Sequence, residues 1–148
     1  MLTKPITYEN YNGEKKTKNF YFHLTKMEIA RMQAEYEGGL SGYLKKIVES
    51  DDSREIFRFF EEIVLMSYGE KSADGEEFLK SQEIRDHFKC HPAYDVMMLE
   101  IISGGDKAMS DFIKAVVPSE VAEVMNKADG RTEVNKLVGF EAVPENNN

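Results

Sequence analysis

The stretch Asp52-Ser53-Arg54-Glu55-Ile56-Phe57-Arg58-Phe59-Phe60-Glu61-Glu62-Ile63-Val64-Leu65-Met66-Ser67-Tyr68 decides the fold class. Its apolar positions recur with the 3.6-residue period of a helix and cover most of the circumference. Asp52 and Glu55 have the three-residue spacing of a capping box, which satisfies two free amides at a helix start. The pattern therefore predicts a long helix from Ser53 to about Tyr68, buried at the centre of a mainly helical protein.

Immediately after it, Ser67 to Ser81 is polar and punctuated by Gly69 and Gly75. Gly69-Glu70-Lys71-Ser72 superficially suggests a phosphate loop, but the first glycine and the preceding strand of that motif are missing. Asp74-Gly75 lacks the alternating oxygen ligands of a calcium loop. This segment reads as a structural joint formed by Tyr68, Gly69, Asp74, Gly75 and Phe78. It ends the apolar helix at Gly69, turns at Asp74-Gly75, and anchors through Phe78 before Ser81 caps the next helix.

Upstream, residues 4–11 alternate as a strand, with Ile6 and Tyr8 on one face. Asn12-Gly13 then marks a two-residue hairpin turn, because both positions tolerate positive φ. The return strand, Lys16 to His23, places Phe20 and Phe22 on one face and Asn19 and Tyr21 on the other. Thr25 and Glu28 form another capping box, opening a helix that runs to about Tyr36 and stops at Gly38-Gly39. Leu40, Tyr43, Leu44, Ile47 and Val48 supply a further helical stripe.

Beyond the joint, a short helix runs from Gln82 to about Cys90. Tyr94, Met97, Met98, Ile101 and Ile102 predict a helix ended by Gly104-Gly105, and Met109, Phe112, Ile113, Val116 and Val117 predict the next. Pro118 permits a restart carrying Val121, Val124, Met125 and Ala128. The fold class is mainly α (α+β): a β-hairpin over about 4–23, then a compact bundle of about six to seven helices. Residues 1–128 are expected to form a single domain, and 129–148 a mobile tail.

The 148 residues carry a formal net charge of −8, which argues against unspecific binding to nucleic acid or an anionic membrane. A single cysteine, Cys90, rules out an intrachain disulfide and suits a reducing compartment. The amino terminus turns polar at once, and no apolar run approaches the ~20 residues of a membrane span. These features predict a cytoplasmic protein with neither signal peptide nor membrane anchor.

Glu83, His87, Cys90 and His91 share helical spacing and are residue types that zinc accepts. One helix places them in a row rather than around a point, and no second ligand cluster exists elsewhere, so structural or surface roles are the better reading. Cys90 has no separated histidine and oxyanion device to make it a nucleophile. His23 ends a strand within an aromatic run and reads as half-buried packing. The pairs Asp51-Asp52, Glu61-Glu62 and Glu76-Glu77 diverge on a helix instead of converging as an acid–base pair. No catalytic residue, metal site or cofactor is predicted. The methionines are numerous for this length, and their flexible thioethers suit both core filling and adaptable contact surfaces. Adjacent Met97 and Met98 cannot both point at one core centre with equal burial.

The run Asn19-Phe20-Tyr21-Phe22-His23-Leu24-Thr25-Lys26, then Gly38-Gly39-Leu40, resembles the start of a tail assembly chaperone family of long-tailed (siphovirus-like) bacteriophages and prophages. Ser67-Tyr68-Gly69-Glu70-Lys71-Ser72, Asp74-Gly75, Phe78 and Lys80-Ser81 follow in the family's order, as do Ala93-Tyr94 and Phe112-Ile113 to Pro118. The resemblance covers about residues 5–125. Phe88 to Pro92 and Ile101 to Gly105 depart from the more acidic or polar family pattern, and the tail after Asp129 has no counterpart in it. What the resemblance implies is a non-enzymatic protein of the host bacterial cytoplasm, absent from the mature virion. It would bind the tape measure protein and assist polymerisation of the tail-tube (major tail) protein. A frameshifted longer form of the chain and a homo-oligomer are further partners it leaves open; nucleic acid and membrane are not partners.

On that reading Tyr94, Met97, Met98, Ile101, Met109, Phe112 and Ile113 line an apolar groove for the tape measure protein. A structural tail-completion or connector protein of the virion is the alternative function, and an acidic DNA mimic is a third.

Overall fold

Alternation over residues 2–9 and 19–22 has a direct structural result: even-numbered side chains turn toward a core and odd-numbered ones are more exposed. A computed structural model describes residues 1–35, 39, 42, 45, 49 and 52–124. Strand β1 (Leu2–Glu9) pairs antiparallel with β2 (Lys15–Phe22) in a register running from Leu2↔Phe22 to Glu9↔Lys15. Ile6, Tyr8, Phe20 and Phe22 are buried, while Thr3, Pro5, Thr7 and Glu9 are exposed. The Thr7 and Thr17 hydroxyls meet at 2.8 Å across the exposed face.

The connection is longer than the predicted two-residue Asn12-Gly13 turn. Asn10 N donates to Glu14 O at 2.8 Å, and the Asn10 side chain accepts from the amides of Asn12 and Glu14 at 2.9 Å each. Asn10 therefore organises a five-residue loop by imitating backbone, as Asn side chains do in turns. Gly13 adopts φ +78° within it.

Six helices follow among the described residues: α1 (Lys26–Glu35), α2 (Ser53–Ser67), α3 (Gln82–Lys89), α4 (Pro92–Ser103), α5 (Gly105–Val116) and α6 (Ser119–Val124). The mainly helical α+β class with an N-terminal hairpin is therefore observed. Two short strands, β3 (Tyr68–Lys71) and β4 (Phe78–Leu79), lie between α2 and α3 and extend the hairpin to a four-stranded sheet of order β1-β2-β3-β4. The helical stripe read at Leu40 to Val48 and the tail 129–148 lie outside the described residues.

The chain divides into two units, 1–23 with 60–116, and 24–59 with 117–148. In the first, aromatic rings fill the space between the even face of the sheet and the helices. Tyr68 and Phe88 stack with centroids 3.9 Å apart and planes 9° from parallel. Phe20 and Phe22 each approach Phe88 at 5.8 Å, and Phe112 meets Phe22 at 5.4 Å and Phe60 at 5.5 Å. Burying each such ring stabilises the fold by about 1.5–3 kcal/mol, and edge-to-face pairs add roughly 0.5–1.5 kcal/mol.

In the second unit, the predicted Thr25–Glu28 capping box is present in both directions: Glu28 N donates to Thr25 Oγ1 at 3.1 Å and Thr25 N donates to Glu28 Oε1 at 3.0 Å. Lys26 forms an ion pair with Glu120. Leu24, Ile29, Met32, Phe59 and Val121 are buried. Asp52 caps α2 by accepting from Arg54 N at 3.1 Å.

The expectation that α2 is buried around most of its apolar circumference needs correction. Phe59, Phe60, Ile63 and Val64 are buried, yet Phe57 is exposed. A helix packed on one side leaves its other side wet, whatever the residue type.

Candidate functional site

Ser67 to Ser81 is built by closing off the end of α2. The helix stops at Ser67, two residues before Gly69, where its last carbonyls find partners other than helix backbone amides. Ser67 Oγ donates to Val64 O at 2.9 Å, Arg85 Nε donates to Leu65 O at 3.1 Å, and His23 N donates to Ser67 O at 2.8 Å. The last of these places the chain beside β2, so Tyr68 and Gly69 pair with Phe22 and Tyr21.

Gly69 is required there by space. A Cβ at this position would lie 2.7 Å from the Phe78 ring and 2.9 Å from the Leu79 carbonyl oxygen. The turn at Asp74-Gly75 is held by Gly75 N to Ser72 O at 2.9 Å, Ser72 Oγ to Asp74 Oδ1 at 2.6 Å and Glu77 N to Ser72 Oγ at 2.9 Å. The Ser72 hydroxyl, with help from the Glu76 amide, holds the Asp74 carboxyl below its ordinary pKa. Lys80 Nζ donates to His23 O at 2.6 Å, and Ser81 Oγ accepts from Ile84 N at 3.1 Å to start α3. Tyr68, Gly69, Asp74, Gly75 and Phe78 thus sit in a β3–β4 hairpin.

Sequence reasoning missed β3 and β4, although Asp-Gly between Tyr68-Gly69-Glu70-Lys71 and Phe78-Leu79 was a usable hairpin signal. It also missed Ser67, Arg85 and Lys80 as pins, and no local pattern marks those three. Burial, then the neighbouring Glu70 charge, pushes the Tyr68 hydroxyl up to about 12.

Glu83, His87 and Cys90 line one side of α3, with His87 Nε2 3.9 Å from Glu83 Oε1, but His91 does not join them. The helix ends at Lys89 with Cys90 as its C-cap, and His91 is extended at φ −86°, ψ 136°. His91 therefore leaves the α3 face and caps α4, its Nδ1 accepting from Ala93 N at 3.0 Å. Its ring packs edge-on to Tyr8 at 4.7 Å and Phe20 at 5.3 Å. Burial, reinforced by Lys18, lowers its pKa. No cluster of His, Cys, Asp and Glu among the described residues could hold a metal ion.

The predicted groove residues are placed together but inside. Tyr94, Met97, Met98, Ile101, Phe112 and Ile113 are buried, and only Met109 is partly exposed. Met97 and Met98 are both buried, contrary to the expectation for adjacent positions. Helix α4 packs on β1 along one side and on α3 and α5 along others, so neighbouring positions meet different parts of one interior. The Tyr94 hydroxyl donates to Glu61 Oε2 at 2.5 Å, tying α4 to α2. Burial first, then the bond to Glu61, raises the Tyr94 pKa. The outward face of α4 carries Asp95, Val96, Leu99 and Glu100, with Leu99 65% and Val96 38% exposed. Glu100 pairs with Lys4 of β1 at 3.5 Å.

A family model described as phage tail assembly chaperone matches residues 1–148. The chain belongs to this phage tail assembly chaperone family. No curated protein and no solved structure matches it. Family membership makes it an assembly protein and points to a non-enzymatic role. Among the described residues, no helix of the chaperone is long and apolar enough to cross a membrane.

Proposed function

We propose that this chaperone binds the tape measure protein, keeps it in solution, and helps tail-tube subunits polymerise around it in the host cytoplasm without entering the virion. A partner built of long helices exposes apolar stripes before assembly, and those stripes need reversible cover. The observation that carries the reading is the outward face of α4, where Val96 and Leu99 remain exposed while the other apolar residues of the helix are buried or half-buried. Asp95 and Glu100 flank them, and α4 carries no basic residue. That arrangement suits a helix with an apolar stripe and basic flanks.

The buried set Tyr94, Met97, Met98, Ile101, Phe112 and Ile113, with partly exposed Met109, supports this face from beneath. A small patch gives a weak contact, as a chaperone that must later release its client requires. The tail-tube protein, a longer frameshifted form and further copies of the chain are additional partners under the same proposal.

Co-expression with the tape measure protein of the same phage tests it. The wild-type chain is expected to co-purify with that protein and raise its soluble yield, and Leu99→Asp is expected to lose both with an unchanged far-UV spectrum. Failure of the wild type overturns the choice of partner; retention by Leu99→Asp overturns the choice of face.

A further inference from the structure

Among the described residues, the sheet leaves one strand half covered. The β1–β2 ladder runs for the whole length of both strands, whereas β3 pairs only with Tyr21 and Phe22. Lys15, Lys16, Thr17, Lys18 and Asn19 are all exposed. Which of their backbone groups are free follows from the hydrogen-bond pattern. Asn10 donates to Glu14, so bonded pairs recur at alternate residues and the even residues of β2 are spent on β1. The odd residues point the other way, as His23 does in donating to Ser67 O. Among the described residues, Lys15, Thr17 and Asn19 therefore present a continuous row of N–H and C=O groups that no strand pairs with. The outer edge of β1 offers no equivalent row, because Pro5 falls at one of its outward positions and has no N–H.

Charge then selects the occupant. Lys15, Lys16 and Lys18 make no ion pair with any described residue, in a chain of net charge −8. A second copy docking through this edge would bring the same three lysines opposite them, which lysine-bearing edges are well suited to prevent. An acidic strand meets no such repulsion and gains both the backbone ladder and the cross-strand charge pairs. We propose that the outer edge of β2 from Lys15 to Asn19 is a strand-addition site for an extended, acidic segment of another protein. The site is separate from the α4 face and does not depend on it.

The test uses the full chain, isotope-labelled for amide NMR, and a capped peptide Glu-Val-Glu-Thr-Glu-Val. Saturable binding is expected, with amide exchange at Lys15, Thr17 and Asn19 slowed about tenfold or more. Thr17→Pro removes an outward backbone donor and no backbone bond to β1, losing only the exposed hydroxyl contact with Thr7, so it should abolish binding. The triple change Lys15→Gln, Lys16→Gln and Lys18→Gln should weaken binding about tenfold and decides the matter if the proline variant does not fold. Absence of saturable binding overturns the site, as does equal binding of the same peptide with Lys in place of Glu. Protection at Thr3 and Thr7 instead would place binding on β1 and overturn the proposal. A thymidine oligonucleotide that shifts the β2 amides more strongly than the peptide does would make this a nucleic-acid surface and overturn the proposal.

Discussion

Gly69→Ala is the sharpest probe of the joint. The added Cβ would sit 2.7 and 2.8 Å from two Phe78 ring carbons and 2.9 Å from Leu79 O. Ordinary carbon contacts lie near ~3.5–4.0 Å, so the ring must retreat by roughly 1 Å. Phe78 is only partly buried and can move. Leu79 O is less free, because Leu79 pairs with Glu70 in the β3–β4 ladder. Opening that ladder also disturbs the pairing of Tyr68 and Gly69 with β2. Overpacking of this kind costs about 1–3 kcal/mol. For a chain near this length, Tm should fall by roughly 3 °C per kcal/mol.

Urea unfolding followed by far-UV circular dichroism measures the loss, with Gly75→Ala as the control. Gly75 has φ +76° and nothing within 4 Å of its added Cβ, so its cost is conformational only, about 1–2 kcal/mol. The double variant Gly69→Ala/Phe78→Ala should cost less than the sum of the single changes, because the clashing ring is gone. A Gly69→Ala loss below about 0.5 kcal/mol, within the range of a neutral surface change, would falsify the close approach of β3 and Phe78.

Three further outcomes are expected. Tyr94→Phe removes the donor to Glu61 and should cost about 1–2 kcal/mol by urea titration, toward the low end for a bond to a charged group because Glu61 is partly solvated; an unchanged midpoint would remove this link between α2 and α4. His91 has a lowered folded pKa, so the unfolded chain binds the extra proton first. Its contribution to stability is whole above the unfolded value of about 6.5 and is lost as pH falls through the lower folded value. His91→Asn keeps a capping oxygen and should flatten that acid-side decline in melts at stepped pH; a wild-type slope in the variant assigns the decline to other groups. Mass spectrometry of purified phage particles should find tail-tube protein but none of this chain, and stoichiometric recovery would make it a virion component.

How much could be read along the chain depended on whether the cause was local. Capping boxes are local, and Thr25–Glu28 took the predicted geometry. Ser81, Pro92 and Gly104 likewise bound the downstream helices within a residue or two of their signals. Alternation correctly put Phe20 and Phe22 on the core face and Asn19 on the other. The hairpin loop was misread because Asn10, outside the Asn12-Gly13 pair, supplies the acceptor that organises it. The burial of the groove residues could not be read, because periodicity shows which residues share a helix face but not how many sides of that helix are covered.

By itself, the sequence determined the hairpin, the helix starts, the acidic surface and the family, since each rests on neighbours in the chain or on ordered motifs. Beyond the weak hairpin signal at Asp74-Gly75, it was tertiary structure that decided Tyr68 to Lys71 is a strand. A four-residue strand has too little intrinsic preference to form unless an edge is waiting for it. Here β2 supplies that edge, and Arg85 and His23 take up the helix carbonyls that the turn from α2 into β3 leaves behind. The burial of Met97 and Met98 was settled in the same way. Whether two adjacent helix positions can both be interior depends on what packs against each side, and for α4 that is β1, α3 and α5 together.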